Sequence, residues 1–304
     1  MTSKGGLAGR VVLVTGGGRG IGRAHCLALA AQGAALVVND PGVSRTGDDA
    51  DAGPAASVVA EIEAMGGRAI AHTGSVTSWQ DAADMVQTAI DTFGVLTGVV
   101  NNAGIVRDAT LTNATEEDWD AVVSVHLKGT FAVTKHACEY WRAQSKTGNQ
   151  IDARIVNTVS GAGLWGNHGQ GAYGAAKAAI ANLTVVTAME GRRYGVTANA
   201  ISPLAATRIS EDFFGGDRAA DPALDPGRSS SVVAWLQSVQ SAWLTGQILR
   251  VNGHILSRIT GFAEAEGHYP AKDGAALQFS EIGEAASWLY GTSPRGLAGP
   301  LPRQ

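Results

Sequence analysis

Three side chains in one short stretch have the types and spacing for proton chemistry. Residues 160–177 read SGAGLWGNHGQGAYGAAK. Tyr173 and Lys177 stand four apart in a segment rich in helix formers, which puts them on one helical face. Ser160 closes the apolar run Ile155 to Val159, which reads as a strand. A strand end and a helix start can therefore bring a hydroxyl, a phenol and an ammonium together. A free phenol titrates near pH 10, too high for a neutral-pH proton carrier. A cation about 5 Å away, at an effective dielectric of about 20, favours phenolate by roughly 3 kcal/mol, or about two pKa units. Tyr173 could then exchange a proton with a substrate oxygen, Lys177 would supply the field, and Ser160 would hold that oxygen by a hydrogen bond. Tyr-x-x-x-Lys also arises by chance on many helices, so the trio gains meaning only from the elements that position it.

The first of those elements opens the chain. Val11 to Val14 is a continuous apolar run of the kind buried on both faces of a parallel sheet. It leads into Thr15-Gly16-Gly17-Gly18-Arg19-Gly20-Ile21-Gly22, a helical pattern to Gln32, and a second strand, Ala35 to Asn39, that ends in Asp40. Strand, Gly-rich turn, helix, strand and acid is the order of a dinucleotide-binding unit. There the backbone approaches a pyrophosphate seated on a helix N-terminus. Gly16, Gly18, Arg19, Gly20, Ile21 and Gly22 are the expected cofactor contacts in the turn. A carboxylate at Asp40 can accept from ribose hydroxyls and repels a 2′-phosphate, which favours NAD. Arg19 is the counter-signal, since it could pair with that phosphate, so NADP is the less favoured alternative.

Strands and helices alternate beyond this unit. Helices are expected over Pro54–Met65, Thr77–Phe93 and Glu281–Tyr290, with one long helix opening at Thr115-x-x-Asp118, a capping pattern, and running to Arg142. Strands are expected at Arg68–His72, Gly98–Val100, Thr197–Ile201 and Gln247–Val251. The whole implies an α/β fold: a single doubly wound parallel sheet of the Rossmann type, helices on both faces, over residues 1–304. An irregular segment, about 204–245, could be a mobile substrate cover. A C-terminal extension, about 255–304, follows the last expected strand.

Composition narrows the classes. The hydrophobic fraction is 45%, enough for a substantial core, and 40 glycines are nearly double the usual share. Net charge is −4 with no basic block, which argues against nucleic-acid or membrane partners. Cys26 and Cys138 fall in helical patterns and read as buried reduced thiols, and no metal-ligand set is expected. MTSKGGLAGR has no apolar core of signal-peptide length and no apolar run reaches eighteen residues, so the expected location is cytoplasmic.

Taken together, Thr15-Gly16-x-x-x-Gly20-x-Gly22, Asn101-Asn102-Ala103-Gly104, Ser160 with Tyr173-x-x-x-Lys177, and Pro203 with Thr207 resemble the short-chain dehydrogenase/reductase family over roughly residues 7–255. The resemblance implies an oxidoreductase with Tyr173 as acid/base, Lys177 also on the nicotinamide ribose, and Ser160 orienting the carbonyl. It implies cofactor contacts at Asn102, Ala103, Gly104, Pro203 and Thr207, with Ser75 and Val76 on the adenine side, and a homotetramer or homodimer. Val38-Asn39-Asp40, Ser75-Val76, Val125-His126-Leu127-Lys128-Gly129 and Gly166-Asn167-His168-Gly169-Gln170 are similar to the (3R)-hydroxyacyl-CoA dehydrogenase subgroup. His126 stands where the wider family carries an Asn that holds a proton-relaying water, and it joins the catalytic candidates. Leu204 and Ser75 depart from the family's Gly and Asp.

The implied activity is interconversion of a secondary alcohol and a ketone with NAD, the substrate being a small acyl or steroid molecule such as a 3-hydroxyacyl-CoA. An NADPH-dependent 3-oxoacyl-carrier-protein, ketone or steroid reductase and a non-catalytic nucleotide-binding scaffold are the alternatives. Acyl-CoA would want cations, for which Arg192, Arg193, Arg208, Arg218 and Arg228 are candidates. A steroid would want an apolar cleft, which Phe213, Phe214, Leu164 and Trp165 could line. All of these could equally be solvated charges or core.

Overall fold

The structure is a computed structural model that describes residues 6–44, 46–47, 53–205, 221–260 and 279–290. Thr207, Arg208, Phe213, Phe214 and Arg218 lie outside the described residues, as does much of the expected cover and extension. The chain divides into two compact units, Met1–Ile259 and Thr260–Gln304. In the second, the described helix is α9 (Phe279–Tyr290).

An eight-stranded sheet has the order β3-β2-β1-β4-β5-β6-β7-β8. Its strands are β1 (Val11–Thr15), β2 (Ala35–Asn39), β3 (Arg68–His72), β4 (Gly98–Asn101), β5 (Ala153–Thr158), β6 (Val196–Leu204), β7 (Ile248–Asn252) and β8 (Ile255–Ile259). Pairings from β3 through β7 are parallel. Strand order reverses between β1 and β4, so a crevice opens there at the carboxyl ends, where ligands bind in such folds.

Side-chain alternation builds one core on each face. Leu13, Val37, Val99 and Ile155 pack against α3 (Trp79–Phe93) and α5 (Gly129–Lys146). Val12, Leu36, Val100 and Val156 pack against α1 (Gly20–Ala31), α2 (Gly53–Ala64) and α8 (Ser230–Leu236). Val159, Ala200 and Ile248 form a smaller cluster with Ile180 of α7 (Gly171–Gly191).

Three features differ from expectation. The sheet has an antiparallel edge: β8 folds back on β7, with Asn252 opposite Ile255 and a two-residue loop, Gly253-His254, between them. Gly253 has φ +57, the left-handed conformation such tight hairpins need. The helix expected through Arg142 is interrupted. After the Thr115 capping box, α4 (Glu116–Val123) gives way to a π-helical turn, Ser124–Lys128, before α5 resumes. Finally, a short helix α6 (Gly161–Trp165) separates Ser160 from α7.

Candidate active site

The Gly-rich turn links β1 to α1 and is shaped by close approach. Gly16 has φ +62, and a Cβ on Gly22 would lie 1.9 Å from the Gly16 carbonyl oxygen. Among the described residues no side chain caps the N-terminus of α1, and its first turn holds no acid. Its first N–H groups therefore remain free for an anion. Asn102 fastens the turn from β4's side, donating from Nδ2 to the carbonyls of Thr15 (3.2 Å) and Gly16 (3.0 Å). Thr15 Oγ1 accepts from the backbone of Asn102 and Ala103, both at 3.1 Å.

Asp40 lies just past β2 and is buried. Its two oxygens accept from Gly18 N (2.9 Å) and Gly42 N (2.8 Å). Each oxygen keeps a second lone pair for a sugar hydroxyl. Arg19 Nη1 is engaged by the carbonyls of Gly42 (3.3 Å) and Val43 (3.1 Å). Beside them opens a hollow lined by Gly18, Arg19, Pro54 and Ser57. Ser75 and Val76 follow β3; Ser75 N is held by Asp81 Oδ2 at 2.8 Å, and Val76 is buried against α5 at Gly129. An uncapped helix end, a backbone cradle and a buried carboxylate fit the pyrophosphate and the adenosine ribose of a dinucleotide.

The trio sits at the same sheet edge. Ser160 follows β5 and caps α6, its Oγ accepting from Ala162 N at 3.3 Å. Tyr173 and Lys177 lie on α7. Two glycines let α6 seat on α7: a Cβ on Gly163 would come 2.6 Å from Ala178 N, and one on Gly174 would come 3.0 Å from the Ala162 carbonyl. That contact sets the Ser160 hydroxyl close enough to the phenol to act on its titration. Lys177 is buried, donates from Nζ to the Thr158 carbonyl at 2.6 Å, and lies 5.6 Å from the centroid of the Tyr173 ring. Pro203 and Leu204 extend β6 beyond the end of β5, paired to Val251 and Asn252 of β7. Leu204 therefore continues the strand where the family's glycine would permit a turn.

The electrostatics run against the expectation of a phenol made acidic by its cation. Burial pushes the Tyr173 phenol up, the Ser160 hydrogen bond opposes this, and the Asp108 carboxylate adds to it. Burial pushes Lys177 down to about 7. Desolvation opposes the charged form of both groups, so it favours neutral phenol beside amine.

His126 lies in the π turn and is buried. Its Nε2 stands 2.7 Å from the Ile105 carbonyl oxygen and 3.2 Å from Ile105 N. Burial, with Lys177 nearby, pushes this imidazole down to about 3, so it is neutral and carries one proton. The shorter contact puts that proton on Nε2, donating to the carbonyl. Nδ1 has no partner among the described residues.

A contact between Gln170, which ends one of the quoted motifs, and Asp108, which belongs to none, ties two loops beside the site. Gln170 Nε2 donates to Asp108 Oδ2 at 2.9 Å, and Ala109 N donates to the Gly169 carbonyl at 2.8 Å. The loop after β4 is thus tied to the residues that lead into Tyr173. Neither residue belongs to a helical or strand pattern, so spacing carried no signal. The arginine candidates fare differently. Arg192 and Arg193 follow the far end of α7, about 28 Å from Tyr173 at 1.5 Å per residue. Arg228 is exposed and donates to the Pro222 carbonyl.

Fold and site together define an oxidoreductase acting on CH–OH groups. The family model for short chain dehydrogenases matches residues 10–212. A hydroxyacyl-CoA dehydrogenase of Mycobacterium tuberculosis, ChsB1, is 43% identical over 258 residues, covering 81% of this chain and 78% of the relative. Mouse peroxisomal multifunctional enzyme type 2 is 42% identical over 228 residues, 75% of this chain but 30% of that longer protein. A short chain dehydrogenase crystal structure from Mycobacterium avium is 48% identical, with a TM-score of 0.85 over 98% of this chain and 99% of that one. The chain belongs to the short-chain dehydrogenase family, whose members bind NAD(P) and act on small molecules.

Proposed function

We propose that the protein is an NAD-dependent enzyme that interconverts a secondary alcohol and a ketone, the alcohol being a 3-hydroxyacyl-CoA, including one that carries a steroid. The observation that carries the reading is the meeting of Ser160, Tyr173 and Lys177 at the edge where the glycine cradle opens. When bound, the oxidised nicotinamide supplies a hydride acceptor and a positive charge. Tyr173 Oη takes the hydroxyl proton as the carbinol carbon is oxidised. Ser160 Oγ, which accepts from Ala162 N, keeps its own proton to donate to the substrate oxygen. Lys177, when protonated, favours the phenolate, and the Thr158 carbonyl holds its Nζ in place. His126 fixes the loop at Ile105 beside Gly104, where a Cβ would meet its ring at 2.4 Å.

NAD is favoured over NADP because Asp40 puts a carboxylate under Gly18, while Arg19 is engaged by backbone carbonyls. The acyl-CoA reading draws on the hydroxyacyl-CoA dehydrogenase among the relatives. Exposed Val185, Val186 and Met189 on α7 support a homodimer or homotetramer.

The test is a turnover assay with NAD and NADP against 3-hydroxyacyl-CoAs and hydroxysteroids, followed by absorbance of the reduced nicotinamide. Turnover of the CoA esters with NAD is expected. An NADP preference overturns the Asp40 argument and favours the reductase alternative. Silence on every alcohol favours a scaffold.

A further inference from the structure

Most cations near the catalytic edge already have partners. Lys177 donates to Thr158, Arg19 to the Gly42 and Val43 carbonyls, and Arg107 pairs with Glu117 and Asp118. Arg250 differs. It lies on β7 two residues beyond Ile248, whose side chain packs with Ile180 of α7, so strand alternation puts Arg250 on the same face. Its guanidinium carbon is 4.6 Å from the centroid of the Trp165 ring. Trp165 is the last residue of α6, the helix that Ser160 caps. The same ring lies over Gly161, where a Cβ would come within 3.2 Å. Arg250, Trp165, Gly161 and Ser160 thus form a contiguous path from a guanidinium to the hydroxyl that faces Tyr173.

Arg250 is half-buried, and among the described residues no carboxylate pairs with it. A guanidinium held by an aromatic ring rather than by a carboxylate keeps its N–H donors available to another acceptor. Those donors match the oxygens of a carboxylate or phosphate.

We propose that Arg250, held on Trp165, is an anion-binding subsite beside the Ser160 end of the catalytic site that takes a phosphate or carboxylate of the alcohol substrate. The inference deepens the proposed function and rests on Ser160 marking the reacting end of the cleft. It supplies the cation near the site that Arg192 and Arg193 do not.

The experiment compares wild type, Arg250→Gln and Arg250→Lys on three substrates of one chain length: the 3-hydroxyacyl-CoA, its uncharged N-acetylcysteamine thioester, and the free 3-hydroxy acid. NADH affinity serves as the folding control. For Arg250→Gln, kcat/KM on the preferred charged substrate should fall roughly ten- to a hundredfold, mostly through KM, with the uncharged thioester within about twofold. Arg250→Lys should restore part of the loss. Loss on the CoA ester alone identifies a phosphate; loss on the hydroxy acid identifies a carboxylate. If wild type oxidises neither thioester, the acyl-CoA reading fails and the subsite is judged on the hydroxy acid against an uncharged secondary alcohol. Equal losses on charged and uncharged substrates, or an unchanged ratio between them, overturn the subsite.

Discussion

The His126 imidazole stands edge-on to the Tyr173 ring, with centroids 5.1 Å apart and planes at 87°. The histidine thereby joins two elements remote in sequence, the π turn and α7, and its Nε2 reaches the Ile105 carbonyl between them. His126→Ala should leave that buried carbonyl unpaired and cost about 1–3 kcal/mol of stability. His126→Asn, whose amide can still donate, should keep most of the stability and more of the activity than the alanine variant. Thermal unfolding and kcat for both variants check this; equal losses would show that the hydrogen bond is not what matters.

The seating of α6 on α7 gives a second prediction. Gly163→Ala would put a methyl 2.6 Å from Ala178 N, where backbone must shift. Ser160 should then move relative to Tyr173. A displacement near 1 Å can cost about a hundredfold in rate. NADH binding, which depends on the cradle at Gly16 to Gly22, should be unchanged. Fluorescence titration with NADH beside steady-state kcat separates the two effects.

Asp108 provides a test by pH. Its carboxylate raises the Tyr173 pKa. Alcohol oxidation needs the deprotonated phenol, so the rate climbs as pH rises through that pKa. Asp108→Asn removes the charge and should move the acid limb of the kcat/KM profile to lower pH. A limb that stays in place would remove Asp108 from the tuning of Tyr173.

Stability should also depend on pH. His25 is fully buried, its Nδ1 2.8 Å from Ser230 Oγ, and burial pushes its pKa down to about 3, as with His126. An unfolded histidine takes a proton near pH 6.5. The unfolded chain therefore binds more protons below that pH, and stability present above 6.5 is lost as pH falls below it. Lys177 acts in the same direction between about 7 and its ordinary value of 10.5. The cofactor-free protein should melt at a lower temperature at pH 5 than at pH 7.5. His25→Gln should make that drop shallower. Identical melting temperatures at the two pH values would contradict the buried neutral imidazoles.

Sequence spacing carried the local parts of this account and missed the non-local ones. The cradle was legible because Gly16 to Gly22 obey a short-range rule, and Asp40 because it ends a strand at a characteristic distance. Ser160, Tyr173 and Lys177 were legible from a strand end and a four-residue helical step. The β8 edge had a local signal in Gly253-His254, a two-residue turn between apolar runs. The Asp108–Gln170 tie, the Gly163–Ala178 approach and the Arg250–Trp165 stack join residues with no common period. The direction of the Tyr173 shift is not legible from spacing, because a pairwise charge sum omits burial, which acts on both partners.

The central claim is that Tyr173 carries the substrate proton. Its most direct test is a single-turnover measurement of hydride transfer by Tyr173→Phe under saturating NAD and alcohol. The account predicts a loss of about a hundredfold to ten-thousandfold in that step, with NAD affinity within about twofold of wild type. Hydride transfer within tenfold of wild type, with the cofactor bound as tightly, would contradict it.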